Sequence, residues 1–154
     1  MTLPDIRSLV PHSGPMVLLD RVIAVGEESL CAEVSIRPDT LFCDGAGVGA
    51  WVGVEYMAQA VAAFAGYEAH LRGEAVKVGF LLGSRRYAAK CASFATGSKL
   101  HVHVQRALQG ENGLGAFECR IDVVGDPGMA AVATASITVF QPENVGEFLQ
   151  KISE

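Results

Sequence analysis

Glu55 and Gln59 are the residues whose type and spacing most clearly could support chemistry. They stand four residues apart inside the apolar run of residues 49–73. A spacing of i and i+4 puts two side chains on one helix face, where they can meet. A carboxylate within such a run needs a partner or a task, and the positive end of the helix dipole favours one near the helix start. Glu55 is therefore the first candidate for chemistry, the alternative being a buried acid satisfied by Gln59 or by a partner chain.

The run that carries this pair predicts one long helix ending at Gly73. The small residues within it recur at helical spacing and would let other backbones approach closely. These are Ala58, Ala62, Ala65, Gly66 and Ala69. A membrane span is not expected, because polar side chains interrupt the run and no Lys/Arg cluster flanks it.

Alternating segments surround the predicted helix and indicate an antiparallel sheet. Residues 16–29 read as a strand ending near Gly26, and residues 30–38 as its half-buried hairpin partner. Residues 39–49 are expected to be a loop in which Leu41 and Phe42 anchor inward. Short helices are expected near residues 4–10 and 144–154, and strands within 76–88, 95–109, 114–125 and 129–142. The order predicts one α+β domain over residues 1–154, with the sheet wrapped around the helix.

The composition limits the classes of partner. A formal net charge of −5 argues against nucleic acid, although a local basic patch could still bind an acidic carrier protein. Residues that could form such a patch are Arg72, Arg85, Arg86 and Lys90. The 50% hydrophobic content and the open sheet edges favour burial against a second subunit, so a dimer is expected.

The cysteines and histidines do not predict a metal centre or a disulfide framework. Four cysteines are scattered without CxxC spacing, which together with the absence of a signal-peptide pattern favours a reduced, cytoplasmic setting. His101 and His103 share a strand face, but two ligands without a third are more typical of surface residues. Cys43 has no base beside it in sequence, so a small buried residue is the stronger interpretation.

Two segments carry a family resemblance that covers residues 5–142. LVPHSGPMVLLDRV (9–22) and VGVEYMAQAVAAFAG (52–66) resemble the N-terminal and helix motifs of the hot-dog superfamily, within it the 3-hydroxyacyl-ACP dehydratases of the FabA/FabZ type. The combination of AWVGVEYMAQA (50–60) with GFLLGSRRY (79–87) is most similar to the ApeP-like dehydratases associated with aryl polyene biosynthesis. The resemblance implies a hot-dog fold and a substrate carried on the phosphopantetheine of ACP or CoA, with no other cofactor.

The resemblance also implies roles for individual residues. Glu55 matches the catalytic acid and Gln59 the glutamine that orients it, while Ala50 stands where a helix-start amide can polarise the thioester carbonyl. Trp51, Leu41 and Phe42 are expected to contact the substrate. The family places its catalytic histidine fourteen residues before the acid, and counting back from Glu55 reaches Leu41. No histidine lies between His12 and His70 in this sequence. The position of His12 in the first motif favours a structural role.

Three functions remain open on this sequence. The chain could be a dehydratase in which Glu55 acts alone or with a substitute base. It could be an acyl thioesterase whose Glu55 and Gln59 activate water or attack the thioester. It could instead be a non-catalytic subunit that binds acyl-ACP or stabilises an active hot-dog partner.

Overall fold

The computed structural model describes residues 3–11, 14–75, 80–110 and 113–140. Within these ranges, eight strands and one long helix follow each other, with short 3-10 turns at Ile6–Ser8, Gly14–Met16, Ala50–Val52 and Pro127–Met129. The strands are β1 (Arg21–Val25), β2 (Ser29–Ser35), β3 (Gly47–Gly49), β4 (Phe80–Ala89), β5 (Ser93–Ala95), β6 (Lys99–Gln109), β7 (Leu114–Val123) and β8 (Ala133–Phe140). The helix α1 spans Gly53–Leu71 between β3 and β4.

Six strands form one antiparallel sheet in the order β1-β2-β6-β7-β8-β4. Helix α1 contacts β6, β2, β7 and β8 and therefore lies across one face of this sheet. The core between them is built from alternate strand residues and from buried helix residues such as Met57 and Phe64. This arrangement confirms the predicted α+β hot-dog architecture.

The close approach predicted for the small helix residues is found at Gly66. A Cβ atom at this position would lie only 1.9 Å from the Leu9 carbonyl oxygen, so the N-terminal segment packs directly on the backbone of α1. Glycine therefore fixes where residues 3–11 cross the helix. The same segment continues toward Glu55 and Gln59.

Several element boundaries differ from those predicted. The strand expected over residues 16–29 begins only at Arg21, because the Leu18 N–H donates to the Gln59 side chain. Helix α1 begins at Gly53, after the 3-10 turn Ala50–Val52. The loop expected over residues 39–49 contains β3, which pairs with β5 in a separate two-stranded sheet. The expected terminal helix over 144–154 and His12 both lie outside the described residues.

No helix within the described ranges is long and apolar enough to cross a membrane.

Candidate active site

Gln59 is the fully buried centre of a hydrogen-bond network at the start of α1. Its side-chain oxygen accepts from the Leu18 N–H at 2.9 Å. Its Nε2 donates to the Met16 carbonyl at 2.8 Å and to Glu55 Oε1 at 3.1 Å. Buried amide groups are stable only when their bonds are made, so these contacts fix the Gln59 rotamer. The glutamine thus orients the Glu55 carboxylate while holding the N-terminal segment.

Glu55 lies in the first turn of α1, as predicted, but its side chain is only half-buried. The expectation of a buried acid was therefore too strong, because the core ends at Tyr56 and Met57 on the neighbouring helix face. A carboxylate at the margin of the core is oriented by Gln59 without being enclosed by the core. This position suits a group that exchanges a proton with a ligand.

The polar groups of Ala50 are used inside the fold. Its N–H donates to the Ala92 carbonyl at 3.0 Å, and its carbonyl accepts from the Tyr87 hydroxyl. The predicted contact between the Ala50 amide and a thioester would require the bond to Ala92 to break. The Trp51 amide lies in the 3-10 turn that leads into α1, at a helix start where donors point outward. A thioester carbonyl at this helix start would therefore meet the Trp51 amide.

Tyr87 is a residue whose role the sequence motifs did not specify. Burial raises the pKa of its hydroxyl to about 12, so the group stays a protonated donor to Ala50. A Cβ atom at Gly53 would lie 2.3 Å from the Tyr87 hydroxyl, which explains the glycine at the first position of α1. Tyr87 thus connects β4 to the start of the helix. In the sequence, Tyr87 could have been singled out by its position in the segment 79–87, which carries the family resemblance.

The apolar residues expected to contact substrate are exposed in this chain. Leu41, Phe42 and Trp51 are 37%, 50% and 66% exposed, so the expectation that Leu41 and Phe42 anchor their loop inward is wrong. Val48 and Phe94 fill the core near this loop instead. Phe42 adopts a left-handed backbone (φ +70°), and its ring contacts that of Trp51 edge to face at 5.6 Å. We refer to the aromatic pair Phe42 and Trp51, together with the neighbouring Leu41, as the aromatic patch.

The Tyr56 side chain has an unusual polar end. Its ring is 1% exposed and packs beside Phe94, as expected for a core residue. Its hydroxyl has no hydrogen-bond partner in the part of the chain that the structure describes. Burial raises the pKa of this hydroxyl to about 12, so it is a protonated donor beside the cleft lined by Leu18, Thr40 and Leu41.

No histidine of the described ranges lies next to Glu55. His70 is in the last turn of α1, four turns away. His101 and His103 alternate with core residues of β6 and therefore face away from α1. Cys43 is half-buried and packs against the core, with its Sγ 3.5 Å from Thr96 Oγ1. The described residues thus bring the acid and its glutamine together without a histidine base.

A six-stranded antiparallel sheet wrapped around one helix in the described residues, with an oriented carboxylate in the first turn of that helix, defines this chain as a hot-dog protein. The model of the ApeP-like family, described as ApeP dehydratase, matches residues 4–150. The chain therefore belongs to the ApeP-like dehydratases. No curated protein matches it.

Solved structures agree with this assignment. One chain of the dehydratase heterocomplex ApeI:P from Xenorhabdus doucetiae is 30% identical, with a TM-score of 0.87, covering 99% of this chain and 100% of that chain. Zebra fish thioesterase superfamily member 2 is 11% identical, with a TM-score of 0.66 and coverages of 89% and 92%. A hypothetical thioesterase from Streptococcus pneumoniae, solved with coenzyme A, is 10% identical, with a TM-score of 0.60 and coverages of 79% and 84%. The two thioesterases share the fold alone.

Proposed function

We propose that this chain supplies the carboxylate half of a 3-hydroxyacyl-ACP dehydratase site and that a second hot-dog subunit supplies the base. The observation that carries the proposal is the Glu55 carboxylate in the first turn of α1, oriented at 3.1 Å by a buried Gln59. Membership of a dehydratase family supports the reaction class. The similarity to a chain of a dehydratase heterocomplex supports a second, different subunit.

The chemistry divides between two groups. A base removes the α-proton of the 3-hydroxyacyl thioester, the Cβ–O bond breaks, and an acid protonates the departing hydroxyl to give water and a 2-enoyl thioester. Protonated Glu55 donates that proton and the partner's base keeps the α-proton, so each group must recover its starting state before the next turnover. The helix-start amide of Trp51 stabilises the negative charge that develops on the thioester oxygen.

The aromatic patch supports a site that another subunit completes. Trp51 stands one helical turn before Glu55, and its ring with that of Phe42 exposes apolar area beside the carboxylate. Such exposure near a polar functional group is typical of an interaction or ligand surface. When a partner covers this surface, Leu41, Phe42 and Trp51 become one wall of the acyl-binding space. The homodimer remains the alternative assembly.

The carrier is proposed to be an acidic acyl carrier protein. Arg85, Arg86 and Lys90 are exposed on β4 and just after it, on the strand whose Tyr87 contacts the helix start. Arg72, the other cation of the predicted patch, is paired with Glu74 at 3.1 Å. A cationic strand near the site would attract an anionic carrier and its phosphopantetheine, although acyl-CoA offers similar phosphate chemistry. The scattered free cysteines favour a cytoplasmic setting, and the family favours a role in aryl polyene biosynthesis.

The test is the conversion of a 3-hydroxyacyl-ACP, followed by mass spectrometry of the acyl group. The chain is assayed alone, a histidine-containing hot-dog dehydratase is assayed alone, and the two are assayed after co-purification. We expect the co-purified pair to dehydrate the substrate at least about tenfold faster than either protein alone, or to be the only one of the three samples that dehydrates it. Full activity of the chain alone would contradict the shared site. Release of free acid would instead assign the thioesterase function, and equal rates with and without the chain would leave it a non-catalytic partner.

A further inference from the structure

We propose that Cys31, His101 and His103 form a binding site for a divalent cation with affinity for sulfur and nitrogen, for which Zn²⁺ is the natural candidate. The three side chains belong to β2 and β6 and lie on the sheet face opposite to α1. None of them takes part in the dehydration chemistry proposed for Glu55. The sequence showed the two histidines, and the fold supplies the third donor.

Strand register brings the three donors together. Cys31 is the direct partner of His103 across the β2–β6 ladder, and Glu33 is the partner of His101. The intervening residues Ala32 and Val102 point into the core, so the four outward side chains form one cluster. Cys31 Sγ lies 3.8 Å from His103 Nε2. One donor atom from each of Cys31, His101 and His103 lies within 4.8 Å of the others.

These separations are close to those that a tetrahedral metal ion requires. With Zn–S near 2.3 Å and Zn–N near 2.1 Å, neighbouring donor atoms around zinc stand roughly 3.3–3.7 Å apart. The Cys31–His103 separation of 3.8 Å lies just above that range. The remaining contraction is on the order of 1 Å, which small rotations of the imidazole side chains can supply.

Charged residues around the donors fix the cluster. Glu33 and Asp122 each place a carboxylate oxygen 3.2 Å from Nε2 of His101 and His103 respectively. Glu33 is held by Arg21 at 3.0 Å and approached by Lys99 at 4.0 Å, while Asp122 accepts from the Ala131 N–H and contacts Arg120. The carboxylates offset these cations. Because His103 Nε2 lies beside both Asp122 and Cys31 Sγ, an ion bound through this nitrogen takes the place of the contact with Asp122.

The cluster is closed on one side and open on the other. Cys31 is 7% exposed, whereas the side chains of His101 and His103 retain 28% and 30% of their exposure. An ion can therefore enter from solvent through the histidines and reach the Cys31 sulfur beneath them. Three protein donors leave a fourth position for water, as in metal sites that keep an open ligand position.

Cobalt and zinc provide the test on untagged, reduced protein. Co²⁺ titration is expected to produce a thiolate-to-cobalt charge-transfer band that saturates at one ion per chain, and Zn²⁺ is expected to displace it. Cys31→Ser should abolish the band, and His103→Ala should weaken Zn²⁺ binding by at least about 100-fold, measured against a chelator. Cys91→Ser and His70→Gln are the matched controls, because Cys91 is half-buried elsewhere and His70 is exposed at the end of α1.

The outcomes separate the proposal from accidental binding. A band that survives in Cys31→Ser, or that disappears in Cys91→Ser, would overturn the assignment. So would the absence of any band in the parent protein. If the circular-dichroism spectrum shows that Cys31→Ser does not fold, the variant His101→Asn, at a more exposed position, is used in place of Cys31→Ser. Unchanged Zn²⁺ affinity in folded His101→Asn would then overturn the site.

Discussion

At the scale of single residues, Gln59 serves both the fold and the site. It satisfies the Met16 carbonyl and the Leu18 N–H, and it donates to Glu55 from a fully buried position. A side chain with this many buried bonds cannot be replaced by an apolar residue without leaving polar groups unpaired. The orientation of Glu55 therefore depends on the same group that holds the N-terminal segment.

Replacing Gln59 by Leu should lower the free energy of unfolding by about 2–4 kcal/mol, since it leaves buried backbone groups of Met16 and Leu18 unpaired. In the active complex the same variant should reduce kcat more than it changes KM, because the acid loses its orientation. Urea denaturation and steady-state kinetics measure the two effects. Gln109→Leu, at an exposed position of β6, is the control. Equal stabilities for the two variants would contradict the network.

The residue-scale predictions from sequence succeeded where the relation was local. The contact between Glu55 and Gln59 follows from helical spacing, and the structure confirms it. The contacts of Gln59 with Met16 and Leu18 bridge about forty residues, and no local pattern encodes them. The Tyr56 hydroxyl, which has no hydrogen-bond partner among the described residues, was equally unpredictable, because apolar periodicity identifies a buried ring but not the surroundings of its polar end.

At the scale of elements, the crossing of the N-terminal segment over α1 depends on Gly66. Gly66→Ala would place a methyl group against the Leu9 backbone, whose carbonyl lies 1.9 Å from the ideal Cβ position. We expect the free energy of unfolding to fall by about 3 kcal/mol, despite the higher helix propensity of alanine. Thermal denaturation checks this. Ala62→Gly, at a half-buried position one turn earlier, should cost only about 1 kcal/mol. A stabilised Gly66→Ala would refute the close packing.

The loop before α1 is shaped by Asp44. The backbone N–H groups of Gly47 and Ala46 donate to its carboxylate and hold the pKa of Asp44 below its usual range. Because the pKa of Asp44 is lowered by folding, the stabilisation from its ionised carboxylate is complete at pH values above the pKa that Asp44 has in the unfolded chain. It is lost as the pH falls through the pKa that Asp44 has in the folded chain.

Asp44→Asn keeps an acceptor for both N–H groups but removes the charge. We therefore expect its Tm to fall less steeply than that of the parent as the pH is lowered below about 4, the ordinary range of aspartate. Scanning calorimetry across this range measures the difference. Asp39→Asn, whose side chain is 87% exposed, should retain the steep dependence of the parent. Identical acid profiles for Asp44→Asn and the parent would contradict this role.

Element boundaries were less predictable than element types. The helix and the long strands have strong periodicity, and the sequence places them to within a few residues. Strand β3 consists of Gly47, Val48 and Gly49, whose glycines indicate a turn, and only its pairing with β5 makes it a strand. The late start of β1 has a similar cause, because the Leu18 backbone bonds to a helix side chain instead of to a neighbouring strand.

At the scale of the whole molecule, the two faces of the sheet have separate roles. One face carries α1 and Glu55, and the other carries the proposed metal site. The fold class follows from the order of elements, whereas the cluster of Cys31 with His101 and His103 requires the register between two strands about seventy residues apart. The exposure of Leu41, Phe42 and Trp51 also escapes sequence reasoning, since apolar composition does not distinguish a core from an interface.

The aromatic patch should carry much of the affinity for the partner subunit. Trp51→Ser should weaken assembly with a histidine-containing hot-dog dehydratase by about 30-fold, or roughly 2 kcal/mol, because exposed tryptophans at interfaces often act as hot spots. Isothermal calorimetry on separately purified subunits measures this. Leu71→Ser alters an equally exposed apolar residue at the far end of α1 and should have little effect. Equal losses for both variants would argue against a specific interface.

The measurement that tests the central claim most directly is the dehydration rate of the purified two-subunit complex carrying Glu55→Gln. We predict a fall in kcat of about 10²–10⁴-fold with assembly intact, because the amide cannot donate the proton that the leaving hydroxyl requires. Glu74→Gln, an exposed acid just beyond α1, should keep the parent rate. A Glu55→Gln complex that dehydrates 3-hydroxyacyl-ACP as fast as the parent would show that this carboxylate is not the acid of the site.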